Sequence, residues 1–328
     1  MVKQTRSRKS VAEVSLEKSS SQDRLNIQKI VAPVDLSAAS MEALNYAIPL
    51  TERSQADLHL VYVHENGHEF STGWMSQLLY DIAKMRTRVE STAQSDRPSL
   101  IRAENCHVLI GRAYEKVRDF ARELAADLIV LATRGQTGLA RIVLGSTAER
   151  VVQFAPCPVL VARQRKQTEE TERKEFEFAP RNILVPVDFS QCSMAGLKYA
   201  ALFARAFDAG LLLFHALFPP NPVLIDRMSA NLPLDLDATR RMNAQLEMEA
   251  LTQLHFLCGV TCETEIRTGY AIKKICAAIE RANVDLIITS THGQTGLKHA
   301  LIGSVAEQVV RYAHCPVMVV PSRETHSK

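Results

Sequence analysis

Two glycine-rich segments, each ending in a serine that opens a helical pattern, are the residues of this chain best suited to hold an anion. The first runs from Gly135-Gln-Thr-Gly138 to Gly145-Ser146-Thr147, the second from Gly293-Gln-Thr-Gly296 to Gly303-Ser304-Val305. Glycine lets backbone approach a ligand closely, and a helix N-terminus offers unpaired N–H donors with partial positive charge. The same residues have a structural use. Ser146-x-x-Glu149 and Ser304-x-x-Glu307 fit a capping box, which would satisfy those donors internally. Arg134 and His292, each beside a loop glycine, would either contact a phosphate or face solvent.

A carboxylate accompanies each loop. Asp35 and Asp188 fall just past an apolar run that reads as the first strand of its copy, where open α/β sheets place their ligands. Position alone leaves two readings open, because each Asp is followed two residues on by Ser37 or Ser190 and could simply help cap the next helix. No Gly-Lys-Ser/Thr follows the glycines, which excludes a Walker loop. They also follow the fourth strand rather than the first, which excludes the dinucleotide fingerprint. Neither crevice offers a second acid, a Lys-Ser pair or a His-Asp pair, so no dedicated catalyst is expected.

The elements that must position these residues are written twice. Asp127 to Val161 and Asp285 to Val319 align without a gap, with roughly 20 of 35 positions identical. Ile30 to Ser40 returns from Ile183, so the whole domain is duplicated, and the second copy carries extra residues around the Pro-rich run that starts at Phe218. Short apolar runs alternate with longer helical patterns, predicting an α/β fold with a parallel sheet in each copy. Five strands fit each: Ile30–Val34, Leu58–Val63, Cys106–Ile110, Leu128–Ala132 and Val159–Ala162, then Ile183–Val187, Leu211–Phe214, Cys262–Arg267, Leu286–Ser290 and Val317–Val320. The organisation expected is a basic, Ser-rich disordered tail over 1–26, a first domain over 27–163, a charged linker over 164–181, a second domain over 182–322 and a short tail over 323–328. The last strand of each copy is an apolar edge that must be covered.

Charged residues make up 23% of the chain and the net charge is only +3, which argues against nucleic acid or an anionic membrane as partner. The N-terminal stretch lacks the apolar core of a secretory signal, no run is long enough to span a membrane, and the seven cysteines contain no Cys-x-x-Cys pair. A cytoplasmic location and free thiols are the expectation. His255, Cys258 and Cys262 cluster without matching a zinc spacing, so no metal site is expected.

The chain resembles the universal stress protein family, whose nucleotide-binding members carry Gly-x2-Gly-x9-Gly-Ser/Thr after the fourth strand and an Asp ending the first. Nine residues separate Gly135 from Gly145, and nine separate Gly293 from Gly303; the motif's first glycine is replaced by Ala132 and Ser290. The resemblance implies two tandem five-stranded, adenine nucleotide-binding-like domains. Carried over residue by residue, it places a nucleotide against Val34, Asp35, Val63 and Ala132, with phosphates near Gly135, Gly145, Ser146 and Thr147. The second site would use Val187, Asp188, Ala216, Ser290, Gly293, Gly303, Ser304 and Val305. Ser290 is expected to point at the ribose or base, which favours tighter binding in the first domain. The function implied is a stress-response protein that binds ATP or a related adenine nucleotide, with or without Mg, and changes conformation or partners on binding. The alternative is a nucleotide-free dimerisation scaffold. The resemblance also implies that the two final strands pair within the chain as a pseudo-dimer, leaving homodimerisation optional.

Overall fold

Parallel strands buried on both faces need apolar residues at nearly every position, and the inner strands here meet that demand. The computed structural model describes residues 25–35, 37–65, 80, 102–133, 144–163, 178–219, 236–292 and 303–321. In the first lobe the strands are β1 (Lys29–Val34), β2 (Asp57–His64), β3 (Cys106–Ile110), β4 (Leu128–Ala132) and β5 (Val159–Ala162). In the second they are β6 (Asn182–Pro186), β7 (Gly210–Leu217), β8 (Cys262–Thr268), β9 (Leu286–Ser290) and β10 (Val317–Val320). Every expected strand is present. β2 and β7 run further than expected, and β6 stops one residue short of Val187.

The helices are α1 (Ala38–Ser54), α2 (Ala113–Glu123) and α3 (Ser146–Phe154), then α4 (Gln191–Phe207), α5 (Leu236–Thr252), α6 (Ala271–Arg281) and α7 (Ser304–Tyr312). They cover the sheet from both sides. One layer packs α1, α4 and α5 on Ile30, Leu58, Leu128, Ile183, Leu211 and Leu286; the other packs α2, α3, α6 and α7 on Val31, Val61, Ile129, Leu184, Phe214 and Ile287. Successive residues of each strand thus face opposite layers, as the twofold side-chain period requires.

All ten strands form one sheet in the order β3-β2-β1-β4-β5-β10-β9-β6-β7-β8. Within each lobe the pairing is parallel, and the two lobes meet where β5 and β10 pair antiparallel, with Leu160 opposite Met318. Both residues are fully buried. Further contacts cross this seam. Arg163 donates to the Val310 carbonyl, Arg53 Nε donates to the Ala206 carbonyl at 2.8 Å, and Arg53 also lies over the Phe207 ring. Phe178, where the linker rejoins the second lobe, sits edge-on to both Tyr46 and Phe207.

The paired aspartates that open the duplicated segment have a structural task. Asp127 accepts hydrogen bonds from the amides of Gln28 and Lys29, and Asp285 from those of Arg181 and Asn182, so each ties the start of the fourth strand of its lobe to the start of the first. The outer strands are less covered: β8 carries Glu263, Glu265 and Arg267 at alternate positions, and Ile110 at the end of β3 is exposed. Such charge on an outer strand opposes further edge-to-edge pairing. His255 lies in a short 3₁₀ turn (His255–Leu257) rather than in the preceding helix, and Cys262 opens β8.

Candidate functional site

The strand order reverses at β1/β4 and at β6/β9, which are the switch points where a doubly wound sheet leaves a crevice at its carboxyl edge. In the second lobe that crevice is a cavity of about 250 Å³. Its walls include Val187, Asp188, Ala216, Ser290, His292, Gly303, Ser304 and Val305, every second-copy residue nominated from sequence that is described. Gly293 and Gly296 lie outside the described residues, as do Arg134, Gly135 and Gly138 of the first copy. The remaining first-copy residues, Val34, Asp35, Val63, Ala132, Gly145, Ser146 and Thr147, occupy the corresponding places at the carboxyl ends of β1, β2 and β4 and the head of α3.

Local chemistry fixes the carboxylates. Ser190 is the N-cap of α4, its Oγ accepting from the Ser193 amide at 3.1 Å, while Asp188 Oδ1 accepts from both the Ser190 amide (3.1 Å) and the Ser190 hydroxyl (2.6 Å). The first lobe repeats the arrangement: Ser37 caps α1 and donates its amide to Asp35 Oδ1 at 3.0 Å. The two readings of each aspartate therefore separate. The serine is the cap, and the aspartate holds that serine at the crevice mouth. Between Asp188 and Ser190, Phe189 adopts φ +63°, a left-handed conformation costly for a bulky residue, and its ring leans on His215 at 4.5 Å.

The expected capping box does not form. The N-caps are Gly145 and Gly303, not Ser146 and Ser304, and neither helix has a side-chain cap. The glycine amides donate back to Thr133 O at 2.8 Å and Thr291 O at 2.6 Å, which anchors the head of each helix at the end of the fourth strand. The serine becomes the first helical residue, so its hydroxyl cannot fold back onto the third amide as a capping serine does. Gly145 has φ −64° and Gly303 has φ −53°, conformations open to any residue. With no side chain at the cap position, the first amides of each helix are of the kind that suits an anion.

Ser290 also departs from expectation. Its hydroxyl donates to the His292 carbonyl at 2.8 Å, and the residue is buried. The backbone around it is approached closely by α4, where a Cβ on Gly196 would stand 3.4 Å from Ser290 N. The first lobe has Ala43 at that helical position and Ala132 on the strand. The reason for expecting weaker binding in the second lobe thus falls away, since the hydroxyl is engaged within its own loop. His292 lines the cavity with Nδ1 3.0 Å from Thr291 Oγ1.

Sequence reasoning missed Phe214, His215, Phe218, Ala271 and Ile275, and also Pro186, Ser193, Thr289 and Ala306, all of which line the cavity. His215 Nδ1 donates to the Val187 carbonyl at 2.8 Å and so braces the strand end next to Asp188. Phe214 and His215 come from the second strand of the lobe, Phe218 directly follows it, and Ala271 and Ile275 come from its third helix, elements brought to the crevice by contacts distant in sequence. Among the described residues no cluster of three His, Cys, Asp or Glu side chains is placed to hold a metal, and no helix is long and apolar enough to cross a membrane.

Comparison with known proteins agrees with this architecture. Universal stress protein MJ0531 of Methanocaldococcus jannaschii is 35% identical over 146 residues, 43% of this chain and 84% of that protein. Universal stress protein YxiE of Bacillus subtilis is 28% identical over 149 residues, 41% of this chain and 98% of its own length. The crystal structure of a universal stress protein from Archaeoglobus fulgidus superposes with a TM-score of 0.60 at 18% identity, covering 92% of this chain and 99% of that one, a likeness of fold. The profile of the universal stress protein family matches residues 26–163 and again 180–321, and the chain therefore belongs to that family as a tandem member.

Proposed function

We propose that this protein binds ATP or a related adenine nucleotide at the carboxyl edge of its sheet and uses occupancy to alter its conformation or its choice of partner in a cytoplasmic stress response. The observation that most supports this reading is the convergence of Asp188, the Ser290–His292 turn and the head of α7, which has no side-chain cap, on one cavity. The chemistry of the donor set fits such a ligand. Phe214, Ala216 and Ile275 give an apolar wall for a base, Asp188 an acceptor for ribose hydroxyls, and the first turn of α7 with Ser304 a seat for phosphate. Asp35, Val63, Ala132, Gly145, Ser146 and Thr147 would serve the first lobe in the same way, with Arg134, Gly135 and Gly138, and Gly293 and Gly296 in the second, completing the phosphate loops. A bound nucleotide would bring its own Mg, since Asp188 is the one carboxylate among the described residues lining the crevice.

The antiparallel seam between β5 and β10 leads us to treat the protein as a pseudo-dimer in solution, its lobes following the 27–163 and 182–322 boundaries, with homodimerisation not required. Mass spectrometry of gently denatured, freshly purified protein tests the binding reading. An adenine nucleotide released at one or two equivalents per chain is the expected result. Release of none, together with no uptake of added ATP, would favour the nucleotide-free scaffold.

A further inference from the structure

The rim of the second-lobe cavity carries an aromatic pair. Phe218 lines the cavity directly after β7, yet its side chain is 63% exposed; Tyr270, 57% exposed, meets it edge-on with centroids 5.5 Å apart and planes at 88°. Single exposed apolar residues are ordinary. This pair is not ordinary in how it is held. Arg240 of α5 donates to the Phe218 carbonyl at 2.9 Å, and Arg241 reaches the Thr268 hydroxyl at 2.9 Å, just before the Gly269 turn that leads into Tyr270. Gly269 has φ +142°, and a Cβ there would run into the Lys274 side chain, so the turn that presents Tyr270 requires glycine. Both backbones are thus fixed while a ring face is left uncovered.

The first lobe uses the equivalent positions differently. Its turn at Gly111 is the same, with Gly111 N donating to His64 O as Gly269 N does to Leu217 O. The residue that follows β2, however, is Glu65, whose Oε1 accepts from the Ala113 amide at 2.8 Å and so caps α2, and the residue after the glycine is Arg112, paired with Glu115. A carboxylate stands where the second lobe has an open ring.

The order of strands along the crevice gives the ring its occupant. Along the carboxyl edge, β9 with the head of α7 comes first, then β6 with Asp188, then β7 with Phe218. Neighbouring strands lie about 4.8 Å apart, so β9 and β7 are about 10 Å apart, with β6 and its aspartate between them. That is the sequence of groups in a nucleotide: phosphate, sugar, base. Resting on the nucleotide reading above, we infer that Phe218, backed by Tyr270, is the face on which the purine base stacks in the second lobe. It makes that site selective for base-bearing ligands in a way the first site is not. Stacking on an aromatic face is available to any base and is lost when the ring is removed.

The test uses the full chain carrying Gly145→Val, so that calorimetry reads the second site. ATP and, separately, inorganic tripolyphosphate are titrated into this chain and into the same chain with Phe218→Ala or Phe218→Trp. Phe218→Ala should weaken ATP binding about tenfold, Phe218→Trp should restore it, and tripolyphosphate should bind all three alike. Equal ATP affinity for Phe218→Ala and its parent overturns the inference while leaving nucleotide binding intact. Parallel losses of ATP and tripolyphosphate overturn it too, since they would show a distorted site rather than a lost stacking face. Absence of ATP binding in the parent overturns both the inference and the reading on which it rests.

Discussion

Where the first lobe sets His59 against His107, the second has Leu212 and Glu265. The two imidazoles are stacked at 5.4 Å with Nδ1 and Nε2 3.1 Å apart, and Phe120 of α2 closes over His107 at 4.5 Å. In the second lobe the residue aligned with Phe120 is Ala278, and Glu265 is held instead by Arg267 and Arg281. The same contrast recurs at the crevice: Ala43 with Ala132 against Gly196 with Ser290, and Glu65 with Arg112 against Phe218 with Tyr270. Exchanges come in compensating pairs. Duplication has preserved the glycine turns, the capping serines and the aspartates that tie strand to strand, while the contacts around them have been rebuilt independently. The shared set frames the crevice, and the rebuilt set is where the two sites acquire different character.

The largest effect should come from breaking the strand pairing through which the two lobes share one sheet. Met318→Asp puts an unpaired charge against Leu160 in the seam, a disruption of about 3–5 kcal/mol. Urea denaturation should show the loss, and light scattering should show association of chains whose apolar strands are newly exposed. A variant as stable and as monodisperse as the parent would mean that the seam is not what joins the lobes. A second way to separate the sites is to compare Gly145→Val with Gly303→Val. Each should lower ATP affinity at its own site at least tenfold, since one lost charge-assisted contact is worth about 1.5–3 kcal/mol, with circular dichroism unchanged. Loss at both sites from either variant would show coupled rather than parallel crevices.

A more modest contrast is expected with pH. Burial and then the neighbouring His107 lower the pKa of His59, and burial lowers that of His107; Asp57 and Lys29 also act on His59, in opposite senses. The unfolded chain therefore binds protons that the folded first lobe refuses, so stability is complete above about pH 6.5 and declines as the pH falls below it. Only the first lobe holds this pair. His59→Leu, the second lobe's solution, should flatten the dependence of the melting temperature between pH 7.5 and 5; an unchanged slope would place the sensitivity elsewhere. The smallest effect tests the paired exchange around Ser290. A Cβ at Gly196 would meet Thr289 C at 3.5 Å and Ser290 N at 3.4 Å, ordinary contacts, so Gly196→Ala should raise stability by about 0.5–1 kcal/mol through helix propensity. A loss would show that α4 has no room for the first lobe's alanine.

Much of this was legible because the inner strands are buried on both faces and must be apolar throughout, so Ile30–Val34 or Val317–Val320 could be read directly. The capping box was misread because Ser-x-x-Glu is ambiguous by one residue: the loop closes through the Gly145 and Gly303 amides, which takes the cap position from the serine. Phe218 and Tyr270 carried no signal, because only the topology brings the end of β7 beside the head of α6. The site residues that local sequence could nominate were those on the glycine motif and at the end of the first strand, while Val63 and Ala216 on the second strands came from the family resemblance alone. Those contributed by the second strand and third helix depend on contacts distant in sequence.

Calorimetric titration of ATP into the full chain and into the Gly145→Val/Gly303→Val double variant decides whether both crevices hold nucleotide as proposed. Saturable binding to the parent and a loss of at least tenfold in the double variant, with the fold retained, is the result predicted. Equal titration curves for the two proteins, or no binding to either, would contradict it.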